Sequence, residues 1–473
     1  MKMRSIFMMC MLVLSAYLLR AEVKMPAVFG DNMVLQQQSE VAIWGWTKAR
    51  ASVTVTTSWN NKGYSAKADQ EGYWKVMVKT PAASFTPYKV TVSDGKKITF
   101  NNVLIGEVWV CSGQSNMEMP IKGFARSPIE DANETIADAP NHTIRIATIQ
   151  RKGTLTPQTY AKGEWKESTT ENVPEFTATG YFFALALQKT LQVPIGLINC
   201  SWGGSCIEGW LPENILKGYK DIDLEKTKDP QYKWRQPLVL YNGMLYPTRK
   251  YTIKGFIWYQ GCANVGRYES YTERMVTMVK EWRSIWEQGE LPFYYVEIAP
   301  FAYSNDCNGT KSAYLREAQF KAQALIPNSA MITTNDLVEP YEYSQIHPRK
   351  KKEIGNRLAW QALAKTYGHK GIYPDSPSYR EMKIDGKQII VSFNHAERGL
   401  SPWEDIKGFE IAGENKVFYP AEAKLGKKDD EIIVSSPKVK KPVAVRYCFK
   451  NFQLGNVINH RNQPLIPFRT DNW

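Results

Sequence analysis

The hydrophobic period changes twice along the chain, and no other feature constrains its fold as strongly. From about residue 22 to 102, apolar and polar residues alternate in short runs such as Val41-Ala42-Ile43-Trp44-Gly45-Trp46, Ala51-Ser52-Val53-Thr54-Val55-Thr56 and Tyr73-Trp74-Lys75-Val76-Met77-Val78. Period two between Gly, Asn and Asp marks antiparallel strands of a small β-sandwich. Residues 371–473 behave alike, at Gln388 to Phe393, Phe409 to Ala412, Glu431 to Ser435 and Val443 to Phe449, and predict a second β-module. Residues 103–370 change register. Strands are expected at Val108 to Ser112, Pro194 to Ser201, Lys254 to Gln260, Pro292 to Ala299 and Ala330 to Thr334. Helices are expected at Thr179 to Lys189, Tyr271 to Trp286, Tyr314 to Leu325 and Pro348 to Tyr367. Strands alternating with helices imply an α/β domain with a doubly wound, mostly parallel sheet, and such sheets bind ligands at the carboxyl ends of their strands. Residues 213–250 are too long for a tight connection and read as an insertion beside that edge.

The amino terminus carries a different signal. Lys2 and Arg4 precede an apolar run from Ile6 to Leu19, and Ala21 offers a small residue for cleavage, so residues 1–21 are expected to be a removable export signal. The run is too short to cross about 30 Å of hydrocarbon comfortably. A soluble, periplasmic or secreted protein without a membrane partner follows. At 43% hydrophobic and 23% charged residues the chain is far from a disordered composition. Its net charge of +13 falls to +10 once Lys2, Arg4 and Arg20 are set aside, and the surplus is scattered, which argues against nucleic-acid binding. The cluster Arg349 to Lys352 follows a histidine and reads as a helix start. Six cysteines remain after the signal, none in a Cys-x-x-Cys pair, and with five histidines in the whole chain neither a metal site nor a cofactor is expected.

The strand ends carry the chemistry. After the first α/β strand the chain reads Ser112-Gly113-Gln114-Ser115-Asn116-Met117. A serine in a Gly-flanked turn there can present its hydroxyl to a base, with backbone N–H groups placed to hold an oxyanion. Trp202-Gly203-Gly204-Ser205 and Gln260-Gly261-Cys262-Ala263-Asn264 end two further strands, and an Asn amide is a suitable oxyanion donor. Acyl transfer near neutral pH calls for a histidine base. His142, His369, His395 and His460 lie in loops, β-segments or past a helix end. His347 follows the last α/β strand and precedes Pro348, a residue suited to a first helical position.

These residues resemble a known family. Gly113 to Pro120, Ser201-Trp202-Gly203-Gly204, Trp258-Tyr259-Gln260-Gly261 with Asn264, and Ile346-His347-Pro348 are similar to the blocks of the sialate O-acetylesterase family of SGNH hydrolases. Asn32 to Gln36, Trp44-Gly45-Trp46, Leu315 to Gln319 and Pro467 to Asp471 extend the resemblance over nearly all of residues 22–473. The resemblance implies a carbohydrate esterase acting on O-acetylated sialic acid or a sialoglycan through an acetyl-serine intermediate. It implies Ser115 as nucleophile and His347 as base. The implied oxyanion donors are the Ser115 N–H, an N–H at Gly203 or Gly204, and the Asn264 side chain. Acetylated xylan or another glycan is the alternative substrate, and a non-catalytic glycan-binding protein the alternative function.

The chain departs from many relatives in two places, with Cys262 in place of Glu and Gln345 in place of Asp two residues before the histidine. The second departure leads us to expect a Ser115–His347 dyad assisted by a neutral acceptor. Asp336, Glu339 and Glu342 are the carboxylates within reach in sequence, with Glu342 foremost. Cys206 and Cys262 flank the two donor-bearing turns, so they should lie near one another, either as a disulfide or as two buried thiols.

Overall fold

The computed structural model describes residues 23–228, 234–304, 306, 308–401 and 404–473. The expected export segment lies outside the described residues. The centre of the molecule is a sheet in the order Ser329–Ile332, Phe293–Val296, Gly255–Tyr259, Lys97–Gly113, Ile195–Ser201, Ile144–Ile149 and Gly163–Glu167. All neighbours are parallel except the last pair.

Period two along these strands sorts the side chains onto two faces. Phe256, Trp258 and Phe293 face Tyr271–Trp286 and share a core with Met275, Met278 and Trp282. Trp109, Ile257 and Val296 face the other way, into a core with Phe182 and Phe183 of helix Ala178–Leu191 and Ile354 and Leu358 of helix Lys351–Gln361. Trp109, Trp258 and Trp282 are fully buried, and truncating any one to Ala would cost about 3–5 kcal/mol. Both faces are therefore covered, as a doubly wound sheet requires.

Lys97–Gly113 is the organising strand, 17 residues long. Its first part pairs antiparallel with Ser84–Ser93, and Leu104 to Gly106 pair parallel with Val34 to Gln36. From Glu107 onward it lies between Ile195–Ser201 and Gly255–Tyr259. The same strand thus passes from the amino-terminal β-unit into the α/β sheet. The carboxyl-terminal residues form two four-stranded antiparallel sheets. They are tied to helix Lys311–Leu325 by the Arg469–Glu317 ion pair at 3.0 Å and by Arg316, which donates to the carbonyls of Cys448 and Lys450.

Helix Tyr271–Trp286 has the expected ends, and the others differ by a few residues. Strands Ile144–Ile149 and Gly163–Glu167 were not foreseen. Pro348 is displaced from its expected place in a helix. It lies before the helix, which starts only at Lys351, because Lys350 holds a non-helical ψ of 58° while its ammonium reaches back to Glu339. At the other end α-helical geometry stops at Gln361 and a π-helical segment continues to Thr366, with Gly368 in the left-handed region at φ 74°.

Candidate active site

Three adjacent strands end side by side at the carboxyl edge, and each end bends into one of the turns read from the sequence. Gly113 closes the central strand at φ 137°, where a Cβ would stand 2.2 Å from the Tyr259 carbonyl oxygen, so only glycine fits. Gln114, buried, locks the turn. Its N–H donates to Tyr259 O, and its side-chain Oε1 accepts from the N–H groups of Gly261 and Ala263 at 3.0 and 3.3 Å. Ser115 opens the four-residue helix Ser115–Glu118. Its Oγ lies 2.9 Å from His347 Nε2. A hydroxyl in this position can lose its proton to the imidazole as it attacks an acyl carbon.

Gly203 passes directly over this turn, where a Cβ would come within 3.3 Å of the Ser115 Cβ and 2.8 Å of Glu118 Oε2. Its N–H donates to that Glu118 oxygen at 2.6 Å, and Arg151 pairs with the other. Gly203 is thereby committed as a donor. The N–H groups of Ser115 and Gly204 have no acceptor among the described residues.

Asn264 departs from expectation. Its amide nitrogen donates to both oxygens of Glu208 at 3.0 Å, and its Oδ1 accepts from Ile207 N–H and Gln260 Nε2. Glu208 is 1% exposed, and a carboxylate so buried needs every donor it can reach. Arg274 and Arg267 supply the rest. The Asn264 side chain therefore braces the turn and is directed at Glu208 in place of an oxyanion. The sequence reading missed Glu208 because it sits 56 positions from its partner; the one available signal was a lone acid just past a glycine-rich strand end.

The base loop also corrects the sequence reading. Asp336 forms a two-pronged pair with Arg357 at 2.8 and 2.5 Å. Glu339 holds Lys350, and Glu342 accepts from the Glu339 N–H at 2.8 Å in a capping box. None of the three touches His347, so Glu342 is not a third triad member here. Gln345 accepts from the His347 backbone N–H through Oε1 at 3.3 Å and not from the ring. Among the described residues no side chain hydrogen-bonds His347 Nδ1. The ring stands edge-on to Phe124 at 5.2 Å between centroids. Burial, then the charge of Lys351, pushes its pKa down to about 4.

Cys206 and Cys262 are not bridged. Cys206 Sγ turns to the Ala263 carbonyl at 3.6 Å, and both remain free thiols that burial pushes above the ordinary cysteine range. From the insertion, Trp234 stacks on Trp202 at 6.2 Å and 14°, and Arg235 lies beside Gly204. On the opposite side a cavity of about 1000 Å³ is lined by Glu118, Phe124, Arg151, Lys162 and Asn199 among others.

The family profile described as carbohydrate esterase, sialic acid-specific acetylesterase matches residues 105–364. Human sialate O-acetylesterase is 28% identical over 416 residues, covering 81% of this chain and 78% of that protein. The mouse enzyme of the same name is 27% identical, covering 82% and 81%. A carbohydrate acetylesterase crystal structure from Xanthomonas citri is 34% identical, with a TM-score of 0.85 over 96% of this chain and all of that one. The matched span contains the Ser115 turn, both partner turns and His347, so the chain belongs to the carbohydrate esterase family of sialic acid-specific acetylesterases.

Proposed function

We propose that this chain removes acetyl groups from the hydroxyls of sialic acids through an acetyl-Ser115 intermediate. The observation that carries the reading is the 2.9 Å contact between Ser115 Oγ and His347 Nε2 at the strand-end cleft. His347 takes the serine proton as Oγ attacks the acetyl carbonyl carbon. The developing oxyanion turns to the N–H groups of Ser115 and Gly204. Collapse breaks the bond to the sugar oxygen, which leaves with the proton from His347. Water, deprotonated by the same imidazole, then releases acetate. With the imidazole neutral at any pH well above 4, the base is ready throughout the physiological range.

Two features of the cleft support an anionic sugar. The cavity beside Glu118 has Lys122, Arg151, Lys162 and Lys166 on its wall against Glu118, Glu164 and Glu175, a positive excess that suits the sialate carboxylate. Arg235 adds a guanidinium on the side of Gly204. The stacked Trp202 and Trp234 suit a sugar face of any charge, and they are the observation favouring acetylated xylan as a second reading.

The test is acetate release from O-acetylated sialic acid, acetylated xylan and an aryl acetate in parallel. Turnover of the sialate with loss in Ser115→Ala is expected. Xylan turnover alone would transfer the function to neutral glycans, and folded protein inactive on all three would leave a glycan-binding role. Export, proposed from the first 21 residues, is checked by sequencing the amino terminus of the mature protein, which should start near Glu22. No helix of the described residues is long and apolar enough to cross a membrane.

A further inference from the structure

Among the described residues no carboxylate fixes the His347 ring as one ordinarily does in a serine-esterase base, so another contact has to hold it toward Ser115. The neighbouring side chains of the two loops supply an answer. Asn116 follows Ser115 and Ile346 precedes His347. The Asn116 amide nitrogen donates to the Ile346 carbonyl at 3.0 Å, and its Oδ1 accepts from Lys351 Nζ at 2.7 Å. Thr179 fixes the backbone of Asn116 by donating to its carbonyl at 3.1 Å. Asn116 and Lys351 are both fully buried, with no exposed surface.

On the reading that Ser115 and His347 form the acyl-transfer pair, we propose that Lys351 and Asn116 form a clamp that positions His347 in place of a triad acid. Lys351 fixes which way the Asn116 amide faces, because an ammonium can only donate and so holds Oδ1 on its own side. The Asn116 NH2 must then face the base loop, and the two catalytic loops are pinned one residue from each reacting side chain. Neither member touches the reacting atoms. Both are positioning residues.

The surroundings of Lys351 fit this task. Asn116 Oδ1 faces it from the nucleophile turn, the Tyr259 ring from the strand end at 5.5 Å, the Cys262 thiol from the third turn, and Glu342 and His347 from the base loop. Burial pushes the ammonium down to about 7, with Cys262 and Glu342 opposing. A buried lysine whose ammonium donates to an amide oxygen, with no carboxylate hydrogen-bond partner among the described residues, is costly. Its charge also reaches His347 and adds to the burial that holds the imidazole neutral.

Lys351→Met keeps the length of the side chain and removes the donor and the charge. We expect kcat to fall about 100-fold with KM changed by less than about threefold. The His347 titration midpoint, followed by NMR in histidine-labelled protein, should rise by about one pH unit or more. Asn116→Asp keeps an acceptor for Lys351 but removes the donor to Ile346. It should lose a similar factor and raise the midpoint too, and it carries the test if Lys351→Met does not fold. The double variant should be no slower than the worse single one. Unchanged kcat in folded Lys351→Met, or a loss of kcat with an unmoved midpoint, overturns the clamp. The NMR readout needs no substrate, so it judges the clamp separately from acetate release, whose absence in the wild type would count against the esterase reading.

Discussion

The two halves of the site are built by different means. The serine half is fixed by shape: Gly113 sits where any side chain would collide with the Tyr259 backbone, Gly203 where one would press on the Glu118 carboxylate and crowd the serine, and Gln114 fastens the turn to its neighbour through backbone N–H groups. The histidine half is fixed by polar tethers. Its loop carries its own ion pairs, Asp336–Arg357 and Glu339–Lys350, and reaches the serine half through the Asn116 side chain. A half set by sterics fails when a side chain is enlarged; a half set by tethers fails when the donor that joins it to its partner, here the Asn116 amide, is removed.

Five measurements can break or sharpen that contrast. The largest effect is expected from Ser115→Ala, with turnover falling by a factor on the order of 10³ or more and the fold unchanged; a folded variant that keeps most of its acetate release would end the assignment. Gly113→Ala should follow, reducing the yield of folded protein or lowering the unfolding midpoint, because the new Cβ meets the Tyr259 carbonyl at 2.2 Å. A normal melting curve for it would show that the serine half is not set by shape. Gln114→Ala removes the acceptor for two buried N–H groups and should cost about 1–3 kcal/mol of stability in a denaturant titration.

The smallest effects belong to the carboxylates of the histidine loop. Asp336→Asn, Glu339→Gln and Glu342→Gln should each leave kcat within about threefold; a loss on the order of 10³ to 10⁴ in any of them would restore a true triad. The acid limb of kcat/KM gives the matching pH test. With the base held near 4 in the free enzyme, it is still mostly neutral at pH 5, so kcat/KM should fall by less than about twofold between pH 6 and pH 5 and drop only near and below pH 4. An ordinary histidine near 6.5 would already lose most of its activity over that span.

The contrast also explains what the sequence could disclose. Ser115, Gly203, Gly204 and His347 were legible because strand ends and glycines in turns leave local marks. The alternation of strands and helices was legible for the same reason, and the Tyr271–Trp286 helix is bounded as its pattern says. Long-range polar partners leave no such mark. Glu208 and Asn264 are 56 residues apart in sequence, and the Asn264 amide was assigned to an oxyanion because its actual acceptor could not be seen. Lys351 was hidden in plain view within the basic run Arg349 to Lys352, read only as a helix start, while the fold buries it completely. The contact of the Cys206 turn with the Cys262–Asn264 turn was readable from the adjoining strand ends; the direction of the Cys206 sulfur, toward the Ala263 carbonyl, was not.

The strand Lys97–Gly113 has a consequence for how the molecule comes apart. Because one strand starts beside Ser84–Ser93, bulges at Asn102 where φ is 54°, and continues to the turn bearing Ser115, the amino-terminal unit joins the α/β sheet with no linker between them. Fraying that begins at Lys97 runs along the backbone toward the reaction centre. Heat, tension on the amino terminus or a protease cut near residue 102 would therefore dismantle the esterase and its β-unit in a single cooperative event.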